Sequence, residues 1–247
     1  MVTETNLKVL VYDHDIFALH AINSYLAWDR RTRVHCLETN IEHVFEWFAN
    51  EDESEWPDIL ILDTFKFSDP ADLSALIKRF YAVDRNFQIV ILDHEPDVVR
   101  LQMAIETNCK AYFLRGDISL HIASALVWLQ EEKFGVSAGV RRMINGTLPP
   151  YVTVLPESRH YPELTDRIRQ AIQLCVVEGM SADLAADEMG VSTHTIRSYI
   201  KEGYRILEAY DEHKEYPIEL SAQERAFIRY TSLQEDDKED QSMVDEE

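Results

Sequence analysis

Short apolar runs alternate with segments of helical period through the first half of the chain. The runs fall at 8–12, 58–62, 87–92 and 111–114, and the helical patterns at 17–28, 72–81, 97–107 and 118–133. A further strand is read near 34–37 and a helix over 41–49. Runs of about five aliphatic and β-branched residues without polar alternation fit strands covered on both faces, as in a parallel sheet. The order predicts an α/β fold, a doubly wound parallel five-stranded domain over 1–133.

Residues 134–163 change in kind. They hold Gly135, Gly139, Gly146, Pro149, Pro150, Pro156 and Pro162, and such clustering reads as a linker, with docking onto either neighbouring domain as the alternative. From 164 to 214 the pattern is helical. Thr165, Ser181 and Ser192 are placed as N-caps and Gly190 stops the middle helix, which predicts two helices joined by a short turn, an all-α helix-turn-helix domain. Residues 215–233 allow one further short helix with Ala226, Phe227 and Tyr230 on one side.

Charge modifies this picture unevenly. The chain of 247 residues has 24 Lys and Arg against 45 Asp and Glu, a net of −21. Residues 234–247 carry eight acids and Lys238, so a tail is predicted there that cannot build a core and repels itself. It solubilises the protein, shields a DNA-binding face or binds a basic partner. No run of about 18 apolar residues occurs, the first residues lack a basic-then-apolar leader pattern, and Cys36, Cys109 and Cys175 are odd in number with no C-x-x-C pair. A cytoplasmic protein without membrane contact is expected.

In an open parallel sheet, chemistry collects beyond the carboxyl ends of the strands. Those ends read Asp13-His14-Asp15, Asp63, Asp93-His94-Glu95 and Arg115. This layout resembles the receiver domain of bacterial response regulators, over roughly residues 7–133. The resemblance implies Asp63 at the phosphoacceptor position, Asp13 as first acid of the Mg²⁺ pair and Tyr112 as the switch aromatic. His14 stands where the second acid is usual, Asp93 where Thr or Ser is usual, and Arg115 where Lys is usual.

These replacements point one way. Imidazole is a poorer Mg²⁺ ligand than carboxylate. A carboxylate at 93 repels phosphoryl oxygens, by about 4 kcal/mol for unit charges about 4 Å apart at an effective dielectric of about 20. Phosphotransfer is therefore expected to be poor, with no cofactor and only weak Mg²⁺ binding. The expected substitute is an Asp93–Arg115 interaction that holds the domain in one state. A competing reading gives His14 and His94, with the carboxylates, to Zn²⁺ or another transition metal. The simpler one has both histidines facing water, and no metal site is assigned.

The helical segment carries Leu164-Thr165, Glu178-Gly179-Met180-Ser181, Leu184-Ala185, Met189-Gly190-Val191-Ser192 and Thr195-Ile196-Arg197-Ser198-Tyr199-Ile200. It resembles the LuxR-type DNA-binding domain of NarL/FixJ response regulators. By that resemblance Arg197, Ser198 and Lys201 face the DNA groove, and Thr193, Thr195 and Arg205 lie near phosphates. The segment 164–214 nevertheless has six basic and nine acidic residues, so one head alone is expected to bind weakly and to lose affinity with salt. A homodimer is expected, with Ile206, Leu207 and Tyr210 either forming its seam or filling the domain's own core.

The resulting expectation is a phosphorylation-independent, DNA-binding transcriptional regulator rather than an enzyme. Its receiver-like domain controls dimerisation or exposure of the DNA-binding head, and promoter DNA is its partner. The alternative is a regulator that contacts RNA polymerase or another protein without sequence-specific DNA binding.

Overall fold

The computed structural model describes residues 6–84, 86–144, 148–210 and 220–234. The chain divides after Leu155 into two compact units. The first is a parallel sheet of seven strands in the order β2-β1-β3-β4-β5-β6-β7. The strands are β1 (Leu7–Tyr12), β2 (Thr32–Glu38), β3 (Ile59–Asp63), β4 (Gln88–Asp93), β5 (Ala111–Leu114), β6 (Phe134–Val136) and β7 (Val152–Val154). The helices of this unit are α1 (Ile16–Trp28), α2 (Ile41–Asn50), α3 (Pro70–Val83), α4 (Val98–Glu106), α5 (Arg115–Ile118), α6 (Ile122–Trp128) and α7 (Ala138–Met143).

The apolar runs become strands because both faces of the sheet are covered. All five residues of β3 are buried, and Leu10, Leu60, Ile89 and Ile91 pack with Val44, Phe48, Leu73, Ile77 and Phe80. The first four connections from a strand end into a helix each finish on a capping side chain. Asp15 accepts from Phe17 N–H, Asn40 from Glu42 N–H, Asp69 from Ala71 N–H, and Asp97 from Val99 and Arg100 N–H. Each cap satisfies an orphan helix donor and stabilises by about 1 kcal/mol. These caps fix the loops that carry the charged residues at the sheet's carboxyl edge.

Three sequence expectations change here. The sheet has seven strands, not five, and residues 134–155 are not linker but part of the first unit. Phe134, Val136, Val140 and Val152 are buried, and Gly135 and Val136 pair with Ala111 and Tyr112 of β5. The glycines that suggested flexibility serve close packing. A Cβ on Gly135 would stand 2.5 Å from Leu129 Cδ2 and 3.0 Å from the Trp128 ring. One on Gly139 would stand 2.6 Å from Leu114 Cδ1, while the Gly139 N–H donates to Asp117 Oδ2 at 2.7 Å. The helix expected over 118–133 is broken by Ser119, whose φ is +45°, into α5, a short 3₁₀ turn and α6.

The second unit is helical: α8 (Asp166–Ile172), continued by a π-helical turn (Gln173–Val177), then α9 (Ala182–Met189), α10 (Thr193–Ala209) and α11 (Ala222–Tyr230). Thr165, Ser181 and Ser192 cap α8, α9 and α10 as expected, and Ser221 with Glu224 forms a capping box on α11. Residues 157–159, also read as linker, bond to the stretch after α11: Ser158 bridges Leu233, and Arg159 N–H donates to Ser232 O at 3.0 Å. Ala171, Cys175, Ala185, Ala186, Met189 and Ile196 form the small core. Ile206 and Leu207 are buried within this unit, which removes them as an exposed dimer seam. The acidic tail at 235–247 lies outside the described residues, as does 211–219. No helix among the described residues is long and apolar enough to cross a membrane.

Gly135→Ala is expected to destabilise the first unit by about 1–3 kcal/mol through overpacking, read as a lower urea midpoint with unchanged slope. A flexible linker glycine would tolerate the change.

Candidate functional site: a plugged acidic pocket and a presented helix

Asp13, Asp63 and Asp93 end or follow adjacent strands, and all three are buried. Arg115, the first residue after β5, places one nitrogen between two of them. Its Nη2 lies 2.5 Å from Asp13 Oδ2 and 2.9 Å from Asp63 Oδ1. The other oxygen of Asp63 meets His14 Nδ1 at 2.6 Å, and His94 Nε2 lies 3.2 Å from Asp63 Oδ1. Since a carboxylate only accepts, both ring nitrogens are assigned as donors. Both oxygens of Asp63 are therefore occupied from within the protein. The His14 ring stacks on Phe65, with centroids 4.6 Å apart and 7° between planes, and Phe65 also packs against His94. Thus neither histidine simply faces water.

Asp93 is satisfied by different residues. Arg100 Nη1 lies 3.0 Å from both of its oxygens, Tyr112 Oη donates to Oδ2 at 2.8 Å, and the His94 N–H donates to Oδ1 at 2.8 Å. Arg100 also donates to Thr64 Oγ1 at 3.2 Å and to the Phe67 carbonyl at 2.9 Å, tying α4 to the β3–α3 loop. The expected Asp93–Arg115 bond is thus replaced. With Asp93 saturated by Arg100 and Tyr112, Asp13 and Asp63 are the carboxylates left to neutralise, and they take Arg115. Sequence reasoning missed Arg100. The available signal was a cation one turn before the buried Ala104, on the face of α4 that packs inward.

The donor set suits a metal poorly. Asp13, His14 and Asp63 bring ligand-type atoms within 4.8 Å of one another. A guanidinium already bridges the two carboxylates, and His14 directs an N–H rather than a lone pair at Asp63. Mg²⁺ needs near-octahedral oxygen donors, and entry would require displacing Arg115. Tyr112 is fully buried, and its phenol is held above its ordinary pKa by burial and by its bond to Asp93.

In the second unit, α9 and α10 are joined by Gly190, Val191 and Ser192, with Gly190 at φ +65°. That left-handed conformation favours glycine and turns the chain sharply into α10. Arg197, Ser198 and Lys201 are exposed on α10, and with Arg205 they line one shallow groove. Arg205 is held by Glu202, at 3.0 Å from Nε and 2.6 Å from Nη2. Thr193 and Thr195 sit apart at the helix start, where Thr193 Oγ1 donates to Asp183 at 2.8 Å and Thr195 Oγ1 lies 2.8 Å from Ser192 Oγ. The partners Asp183 and Glu202 were not foreseen.

No family model matches the sequence, and no curated protein matches it. Solved structures similar to it include two RcsB dimers bound to two parallel DNAs, at 19% identity and TM-score 0.48, covering 80% of this chain and 89% of that one. Another is the isolated REC domain of RcsB from Salmonella enterica serovar Typhimurium with phosphomimetic BeF3⁻, at 19% identity and TM-score 0.48, covering 57% and 99%. A third is the Salmonella typhimurium RcsB response regulator, at 18% identity and TM-score 0.48, covering 92% and 98%.

Replacing Arg115 by Met leaves two buried carboxylates without their shared cation, and a loss of about 3 kcal/mol is expected in urea unfolding at neutral pH. A raised phenol pKa favours the fold fully below the ordinary tyrosine value of about 10, and that contribution falls as pH rises through the folded pKa. Stability of the wild type is therefore expected to drop above about pH 10, less steeply in Tyr112→Phe, as read by unfolding at stepped pH.

Proposed function

We propose that the protein is a DNA-binding transcriptional regulator of the response-regulator type, whose receiver-like unit works without phosphorylation. The observation that carries the DNA-binding part is the short Gly190 turn into α10, which leaves Arg197, Ser198 and Lys201 exposed on one helix face. A helix presented after such a turn fits the major groove, where arginine reads base edges and lysine neutralises phosphate. Arg205, paired with Glu202, contributes to phosphate contact only after that pair opens, so the reading assigns it a minor part. Phosphate contact by Thr193 and Thr195 likewise competes with their bonds to Asp183 and Ser192.

Independence from phosphorylation is supported by the occupancy of Asp63. A phosphoryl group there would have to displace Arg115, His14 or His94 and then meet the Asp93 carboxylate. On this reading Mg²⁺ is not required, no reaction is catalysed, and the working site is the cytoplasm. A homodimer fits a head that reads paired half-sites, with a contact that does not use Ile206 or Leu207.

A second reading, a protein-contacting regulator of RNA polymerase or another factor, is favoured by one observation: Leu184 of α9 is 60% exposed. The two readings separate in fluorescence anisotropy with DNA from upstream of the gene. Arg197→Ala is expected to weaken specific binding by about 1–3 kcal/mol, and Lys201→Ala to reduce the salt slope by about one. Acetyl phosphate with Mg²⁺ is expected to change neither. Binding insensitive to both substitutions would favour the protein-contact reading.

A further inference from the structure

The stripe of α10 that carries Arg197, Ser198, Lys201 and Arg205 begins one turn earlier, at His194. These five positions follow helical spacing, so their side chains lie on one face. Ile196, Gly203, Ile206 and Leu207 point away from that face and are buried. At Gly203 a Cβ would stand 2.7 Å from Ile172 Cδ1, so α10 is seated closely on α8. The buried side thereby fixes which stripe faces outward, and His194 is exposed on it.

The neighbouring side chains of this turn are already committed. Thr193 Oγ1 donates to Asp183, and Thr195 Oγ1 pairs with Ser192 Oγ. Ser198 donates its hydroxyl proton to the His194 carbonyl at 3.0 Å, which leaves it only lone pairs for a ligand. No hydrogen bond or ion pair of the His194 ring is seen among the described residues. An imidazole carries at least one N–H whether neutral or protonated, so His194 offers a donor in either state. In the major groove both purines present N7 as an acceptor, and guanine adds O6. The first turn of the second helix of a helix-turn-helix is the part that meets base edges. At about 1.5 Å of rise per residue, His194 stands about 4.5 Å along α10 from Arg197, a step comparable to the base-pair spacing of about 3.4 Å. On the DNA-binding reading above, we propose that His194 is a further specificity-determining residue, donating a ring N–H to the N7 of a purine beside the base pair read by Arg197.

The test is fluorescence anisotropy of the full-length protein on the shortest duplex from upstream of the gene that the wild type holds at physiological salt. Each purine of that duplex is replaced in turn by its 7-deaza analogue. Removing N7 at one purine is expected to weaken the wild type about three- to tenfold and His194→Ala by less than about twofold. That purine is expected within about two base pairs of the one whose replacement Arg197→Ala no longer registers. On the unmodified duplex His194→Ala is expected to bind about three- to tenfold more weakly than the wild type, with an unchanged circular dichroism spectrum. An equal loss for His194→Ala on upstream and random duplexes would assign His194 to phosphate contact and overturn the proposal, as would a 7-deaza profile identical in the two proteins. Both results leave the DNA-binding reading standing. A wild type that holds no upstream duplex more tightly than random DNA overturns that reading and the proposal together.

Discussion

Three carboxylates held at one edge of a buried sheet must be neutralised before the sheet is stable. Unit charges about 4 Å apart repel by about 4 kcal/mol even at an effective dielectric of about 20. The chain answers with two guanidiniums used in different ways. Arg115 spans Asp13 and Asp63, while Arg100 closes on Asp93 and reaches on to Thr64 and Phe67. His14 and His94 complete the hydrogen bonding of Asp63, and Phe65 covers both rings. The arrangement makes the pocket a structural joint between β1, β3, β4, α4 and the start of α5. Because each carboxylate oxygen already has a donor, an incoming phosphoryl group competes with the contacts that hold the edge together.

Much of this was legible in the sequence because it depends on local rules. Apolar runs without alternation mark covered strands, and caps at Thr165, Ser181 and Ser192 mark helix starts. Charged residues just past strand ends converge wherever a parallel sheet is doubly wound. Pairing within the converged set was not legible, since Asp93 takes Arg100 rather than Arg115 through the pitch of α4, which no linear spacing records. Residues 134–155 were misread for a related reason. Gly135 and Gly139 look like flexibility in a sequence, whereas here they are the places where a Cβ has no room.

The second unit shows the same contrast. The turn at Gly190 follows from capping and helical period, whereas Arg197, Ser198 and Lys201 were singled out by the resemblance and are exposed. The net charge of the segment did not reveal which acids neutralise which bases. Glu202 takes Arg205 and Asp183 takes Thr193, while no ion pair is seen for Arg197 and Lys201 of the same groove among the described residues. The acidic balance of the domain is thus compatible with a short basic face.

The most direct test of the central claim, that Asp63 is occupied from within the protein, is fluorine NMR of the purified protein titrated with beryllofluoride and Mg²⁺. The account predicts only free fluoride species for the wild type. A saturable protein-bound resonance that disappears in Asp63→Asn would contradict it, because it would show that the Arg115 and histidine contacts yield to a phosphoryl-like group.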